Sequence, residues 1–227
     1  MTQINDVTTL TREGDIAVVT LNSPPVNALS ANVREGLFEG FKAAIADDAA
    51  KAIVLICDGR TFIAGADITE FGQAPKGPGL HDVQAMIEDA PKPVVAAVHG
   101  TALGGGLEVA LVCHYRVVVP SAKMGLPEVN LGLLPGAGGT QRLPRLVGAQ
   151  KALEMIVGGN PIKAAEAREL GLVYEVVSGD LLEGALAFAR QLVADGAPLR
   201  KISELDVPGD PSAELFDHFE QSIARKQ

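Results

Sequence analysis

Cysteine is scarce in this chain: Cys57 and Cys113 are the only two in 227 residues. They lie far apart, in the apolar runs Ile53-Val-Leu-Ile-Cys57 and Ala110-Leu-Val-Cys113. They read as free buried thiols, and a disulfide-stapled secreted fold is excluded. Basic residues are also in deficit, with 19 Lys and Arg against 28 Asp and Glu, a net charge of −9. A nucleic-acid surface needs a basic patch to neutralise phosphates, so no nucleic-acid partner is expected. A local cluster could still hold a phosphorylated small molecule. No apolar stretch approaches membrane-spanning length, and the segment 1–15 has no apolar signal core. The chain ends Ala224-Arg-Lys-Gln227, which is not a receptor-read address. No membrane partner and a cytoplasmic location are therefore expected. No His, Cys and Asp grouping has metal-ligand spacing, so no metal is expected. A P-loop is missing, and no G-x-G-x-x-G follows a strand.

What is present is ordinary globular composition, 47% hydrophobic and 21% charged, in a chain long enough for one large domain. Apolar or β-branched runs predict strands over 15–21, 51–57, 93–98, 115–119 and 173–177. Helices are predicted between them, over 30–46, 81–88 and 107–113. The first has Val33, Leu37, Phe38, Phe41 and Ile45 on one stripe and Ser30 as its cap. The second half is more helical, over 137–147, 150–157, 163–170 and 181–194, with Gly171 ending the third of these. Strands alternating with helices give an α/β fold. After residue 195 the composition shifts to turn and linker residues, Asp195 to Pro198 and Asp206 to Pro211. A polar helical stretch from Ser212 to Lys226 follows. The chain divides into a domain over 1–195 and a linker with a helical tail over 196–227.

Two glycine-bearing loops follow buried strands. One is Phe62-Ile-Ala-Gly-Ala-Asp-Ile68 and the other Gly100-Thr-Ala-Leu-Gly-Gly-Gly-Leu-Glu108. Glycine lets backbone N–H groups approach a ligand closely, and the second loop runs straight into a helix start. Two converging N–H groups could form an oxyanion hole, or the glycines could merely permit a tight turn. Glu108 stands in the first turn of an apolar helix, as a helix-terminal charge or as a general base. Glu128 lies in the apolar run Met124-Gly-Leu-Pro-Glu-Val-Asn-Leu-Gly-Leu-Leu-Pro135. Burial there would raise its pKa by desolvation and suit it to donate a proton. His99 and His114 sit at strand ends among apolar residues and read as packing or hydrogen-bonding groups. Asp67 reads as a helix cap.

Both loops, with Leu126-Pro-Glu-Val-Asn-Leu-Gly-Leu-Leu-Pro-Gly-Ala-Gly-Gly-Thr-Gln-Arg-Leu143, strongly resemble the enoyl-CoA hydratase/isomerase (crotonase) family. The resemblance runs from about residue 12 to residue 195, in order and spacing. Pro24-Pro-Val-Asn-Ala-Leu-Ser30, Cys113-His-Tyr-Arg116 and Gly125-Leu-Pro-Glu-Val129 look closer to the N-terminal part of multifunctional fatty-acid β-oxidation enzymes.

The resemblance implies a ββα spiral core, two sheets wrapped by helices, with a helical C-terminal region. It implies hydration of 2-enoyl-CoA thioesters, with Δ3-Δ2-enoyl isomerisation plausible in the same pocket. The alternative is another acyl-CoA reaction on this fold: isomerase, dehalogenase, decarboxylase or thioester hydrolase. A pure acyl-CoA binder is disfavoured, because it gains nothing from two carboxylates in an apolar pocket. By resemblance, the backbone N–H groups of Ala66 and Gly105 bind the thioester oxygen. Glu108 holds and activates water, and Glu128 delivers the proton to C2. Arg60, Ala64, Ile68 and Gly104 flank the substrate, with Arg60 near the CoA phosphates and Thr69 where many relatives have lysine. No cofactor is bound, since coenzyme A is part of the substrate. In multifunctional relatives a dehydrogenase part follows, so the chain is either a fragment or a stand-alone relative. The tail after Pro198 departs from the trimerisation segment of single-function relatives, which leaves a homo-oligomer open.

Overall fold

The computed structural model describes residues 1–70, 72–74, 76–209 and 212–224. The chain starts with three strands, β1 (Thr2–Asn5), β2 (Thr8–Glu13) and β3 (Ile16–Leu21), and then α1 (Ala31–Ala46). Next come β4 (Ala52–Cys57), α2 (Leu80–Glu88), β5 (Val94–Val98), β6 (Thr101–Leu103) and α3 (Gly105–Val112). Strands β7 (Tyr115–Val118) and β8 (Lys123–Gly125) precede α4 (Gly139–Val147) and α5 (Ala149–Gly158). The rest is β9 (Ile162–Lys163), α6 (Ala164–Glu169), β10 (Glu175–Val176), α7 (Leu181–Ala194) and α8 (Ala213–Ala224). The expected helix end at Lys226 and the turn at Asp210-Pro211 lie outside the described residues.

Seven strands form one sheet in the order β1-β2-β3-β4-β5-β7-β10, and β6-β8-β9 form a second. From β3 to β10 the large sheet is parallel. A parallel sheet is covered on both faces, which is why its strands are continuously apolar. Alternate residues serve two separate cores. Ala17, Val19, Leu21, Ile53, Leu55, Val94, Ala96 and Val98 face one. Ile16, Val18, Ala52, Val54, Val95, Ala97 and Val117 face the other, which α7 closes with Ala185, Leu186, Ala189 and Leu192. The first core is covered by α1 with Val33, Leu37, Phe41 and Ala44. Each fully buried Leu or Phe there contributes on the order of 2–3 kcal/mol.

Three sequence expectations need correction. The buried stripe of α1 runs through Val33, Leu37, Phe41 and Ala44, while Phe38 and Ile45 are only partly buried at its flank. Strands β1 and β2 escape prediction, because Thr, Gln, Arg and Glu dominate them and much of their length is solvent-facing. The small sheet escapes it too, since strands of two and three residues carry no readable period. The end of α6 meets expectation: Gly171 adopts a φ of +76°. The Leu172 N–H then returns to the Ala167 carbonyl at 2.9 Å.

The segment after α7 stays packed against the rest of the domain, touching β7, the end of α2 and the first core. The Tyr115 hydroxyl donates to the Pro198 carbonyl at 2.6 Å, Lys201 pairs with Asp89 at 2.6 Å, and Ile202 is buried.

Candidate active site

The site forms where the two glycine-bearing loops meet. Phe62 N–H donates to the His99 carbonyl and Leu103 N–H to the Ile63 carbonyl, so the loops run side by side. Gly106 makes this possible, because a Cβ there would lie 2.0 Å from the Ile63 carbonyl oxygen. Gly104 turns the chain from β6 into α3 at φ +52°, a conformation L side chains rarely adopt. The glycine run thus makes the tight turn and also admits close approach of the two loop backbones. Helix α3 begins at Gly105, two residues earlier than expected, so Gly105 is its first residue. A Cβ on Gly105 would stand 3.8 Å from the Ala66 nitrogen. Among the described residues neither the Ala66 nor the Gly105 N–H has a hydrogen-bond acceptor.

Glu108 is buried, as is every residue of α3. Its Oε1 accepts two backbone hydrogen bonds of 2.8 Å, from Ala137 and Gly139. Gly139 is the first residue of α4, so a helix N-terminus faces this carboxylate. Both donors fix one oxygen and leave Oε2 without a protein donor.

Glu128 opens a single 3-10 turn, Glu128–Leu131, and is half-buried. Its Oε1 would lie 3.1 Å from a Cβ on Gly104, so any side chain there would press on it. Its Oε2 is buried without a hydrogen-bond partner. Desolvation by burial pushes its pKa above the usual carboxylate value, and the charge on nearby Glu108 pushes the same way. A cavity of about 150 Å³ is lined by Ala64, Ala66, Ile68, Gly104, Gly105 and Glu128, with Pro127, Leu131 and Leu133. Six of the eight expected site residues thus share one cavity. Leu131 is 64% exposed and Leu134 72%, so the chain after Glu128 presents apolar surface. Such an arrangement can bind an oxygen bearing partial negative charge at two N–H groups and move a proton beside it.

The sequence of residues 11–204 matches the family model described as enoyl-CoA hydratase/isomerase. The chain belongs to this family. It is 44% identical over 212 residues to the peroxisomal bifunctional enzyme of Danio rerio, covering 93% of this chain and 30% of that one. It is 48% identical over 168 residues to a probable enoyl-CoA hydratase of Bacillus subtilis, covering 70% and 64%. The chain thus spans less than two thirds of the length of either relative. Among solved structures, an enoyl-CoA hydratase from Bacillus anthracis matches with a TM-score of 0.79 at 31% identity, covering 97% of this chain and 92% of the other. An enoyl-CoA hydratase subunit from Geobacillus kaustophilus matches with a TM-score of 0.77 at 36% identity, covering 84% and 77%. The expected α/β crotonase-type fold is the fold observed.

The remaining expected residues of this hydratase/isomerase family member fall into two groups. Arg60 does not line the cavity; it is an exposed residue of the loop after β4. Glu108 does not line the cavity either, but it lies near enough for its charge to act on Glu128. Asp67 caps the turn Ile68–Glu70, accepting from the Thr69 N–H at 3.0 Å and the Thr69 hydroxyl at 2.7 Å. His99 meets the Gly59 carbonyl at 3.1 Å. His114 accepts from the Val94 N–H and faces the Glu88 carbonyl, both at 3.1 Å. Both histidines therefore hold backbone, as expected. Cys57 and Cys113 are free and buried, and burial pushes the Cys113 thiol up to about 12, which leaves it inert. Among the described residues no His, Cys, Asp or Glu group is placed to hold a metal ion.

Sequence reasoning missed two residues that shape the site. Asn27, at φ +53°, donates to the Asp58, Thr61 and Phe62 carbonyls and so pins the loop leading to Ala66. Gln84 donates to the Glu108 and Ala137 carbonyls. A signal for Gln84 was available: it stands at the i+4 position of the apolar stripe Leu80, Val83, Ile87, where solvent does not reach.

Proposed function

We propose that this chain hydrates 2-enoyl-CoA thioesters, adding water across the C2–C3 double bond in fatty-acid β-oxidation. The observation that carries this reading is the meeting of two acceptor-free N–H groups, of Ala66 and Gly105, beside a desolvated glutamic acid in one small cavity. The thioester oxygen sits at the two N–H groups. Enolate-like charge grows on it as the oxygen of water bonds to C3, and each donor acts where that charge develops. One such donor is worth about 3 kcal/mol in comparable oxyanion holes. Glu108, held by Ala137 and Gly139, orients the water and accepts its proton. Glu128, whose pKa is raised by desolvation, gives a proton to C2 from its protonated form. A proton then passes from Glu108 back to Glu128, so that water is consumed whole, both acids are restored and the step balances without a bound cofactor. Ala64, Ile68 and Gly104 flank the thioester, while Arg60 is the cation on the exposed loop available to the CoA phosphates.

The catalytic domain of this reading is residues 1–195 with the packed residues up to Ile202, followed by linker and tail. In a longer parent chain a 3-hydroxyacyl-CoA dehydrogenase part would follow and consume the product. The location in this reading is the cytoplasm, although several relatives are named for peroxisomes or glyoxysomes. No described helix is long and apolar enough to cross a membrane.

The test is loss of the ultraviolet absorbance of the conjugated thioester of crotonyl-CoA. Rapid loss with the wild-type protein supports the reading. No loss, with a 3-enoyl-CoA gaining that absorbance instead, would turn it to isomerisation.

A further inference from the structure

We infer that Gln84 is a positioning residue for Glu108; the inference rests on the hydratase reading and adds a residue to its machinery. Gln84 lies on α2 and is 2% exposed, between buried Val83 and Ile87 of the same helix face. Its Nε2 donates to the Glu108 carbonyl at 3.2 Å and to the Ala137 carbonyl at 2.8 Å. Two carbonyl acceptors fix the amide orientation, since only the NH₂ end can face both. Ala137 in turn donates its own N–H to Glu108 Oε1. A closed circuit results: Gln84 ties the backbone of Glu108 to the backbone of Ala137, and Ala137 holds the side chain of Glu108. One helical turn on, Glu88 grips Arg142 of α4 with contacts of 3.2 and 2.7 Å. Helix α2 thus holds the start of α4 at two points, on either side of the Gly139 N–H that also binds Glu108.

The cost of Gln84 argues that the circuit is its purpose. Its Oε1 is buried with no hydrogen-bond partner. An unpaired buried carbonyl is a net cost to folding. Methionine would fill the same space without that cost, so packing alone gives no reason for an amide here. What the amide supplies is two donors aimed at the frame of one carboxylate. A carboxylate that orients water is sensitive to this frame, since a misplacement of about 1 Å can cost on the order of 100-fold in rate.

The test measures kcat and KM for crotonyl-CoA hydration in Gln84→Met and Gln84→Glu, each alone and combined with Glu108→Gln. Met keeps the volume and removes both donors; Glu keeps the outline and turns an acceptor toward two carbonyls. The expected result is a kcat loss of about 10- to 100-fold for Gln84→Met with KM within threefold of wild type. Combined with Glu108→Gln, the same change should add less than threefold, because the group it positions is already disabled. A kcat within threefold of wild type overturns the inference. So does an equal loss in both backgrounds, which is the mark of general loosening. Failure of both variants to fold would assign Gln84 to core stability and overturn it too. If wild type does not hydrate crotonyl-CoA, the hydratase reading fails separately, and amide hydrogen exchange decides on Gln84. Faster exchange at Ala137 and Gly139 but not in β5 supports the circuit; unchanged or global exchange refutes it.

Discussion

Glu108 and Glu128, the two glutamates of the candidate site, are held in opposite ways. Glu108 grows from a wholly buried helix, and its Oε1 is fixed by two backbone N–H groups. Glu128 grows from a single 3-10 turn, with exposed Leu131 after it and one carboxyl oxygen that no group satisfies. One region is over-determined by hydrogen bonds; the other is defined by desolvation. The lesson is that environment, not residue type, gives two carboxyl groups two tasks.

The largest expected effect comes from removing either acid. Glu108→Gln and Glu128→Gln should each lower kcat for crotonyl-CoA hydration by about 10³-fold, within the usual range for a general acid or base. In Glu108→Gln the new amide oxygen can still accept from Ala137 and Gly139, so thermal unfolding should barely move. A fold collapse in Glu108→Gln would break the comparison by making that region structural first.

Next in size is the packing that lets the loops meet. A methyl group on Gly106 has no room, because the neighbour at 2.0 Å is backbone rather than a flexible side chain. Gly106→Ala should therefore destabilise by about 3 kcal/mol, read as a lower urea midpoint with unchanged slope.

The pH profile sharpens the contrast directly. In the proposed mechanism Glu128 works in its protonated form, and burial raises its pKa. Activity should hold below that raised pKa and fall about tenfold per pH unit above it, with the break above the ordinary glutamate value of about 4.3. Glu128→Gln should remove that alkaline limb while leaving the others.

His114 carries a stability signal of opposite sign. Burial lowers its pKa, so the folded state binds a proton less readily than the unfolded chain. Its contribution is fully present above the unfolded pKa of about 6.5 and is lost as pH falls toward the depressed folded value. The urea midpoint should drop between pH 7 and pH 5, and His114→Gln should flatten that drop. The smallest effect is expected at the exposed flank: Leu131→Ser should change stability by less than about 0.5 kcal/mol.

Much of this was legible in the sequence. The parallel strands announced themselves as apolar runs because both of their faces are covered. Glu108, Glu128 and both glycine loops could be found because each breaks a local pattern: an acid in an apolar helix, glycines at a helix start. What was not legible depends on distant partners. β1 and β2 are an exception, since they pair with their immediate neighbours along the chain, yet Thr, Gln, Arg and Glu leave no apolar run to read. Arg60 reads as a substrate-binding residue by its place in the motif, and only the fold shows that it stands on the exposed loop after β4, outside the cavity.

The sequence by itself determined the alternation of strands and helices, the glycine-bearing loops after buried strands, and the acids placed in apolar runs. These are consequences of side-chain chemistry that neighbouring residues already express. Only the tertiary structure decided that Ala137, Gly139 and Gln84 frame one carboxylate, through hydrogen bonds that span 24 to 53 residues of chain. Backbone N–H and C=O groups are the same at every residue, so no sequence pattern marks which of them will meet. Packing of α2, α3 and α4 makes that choice.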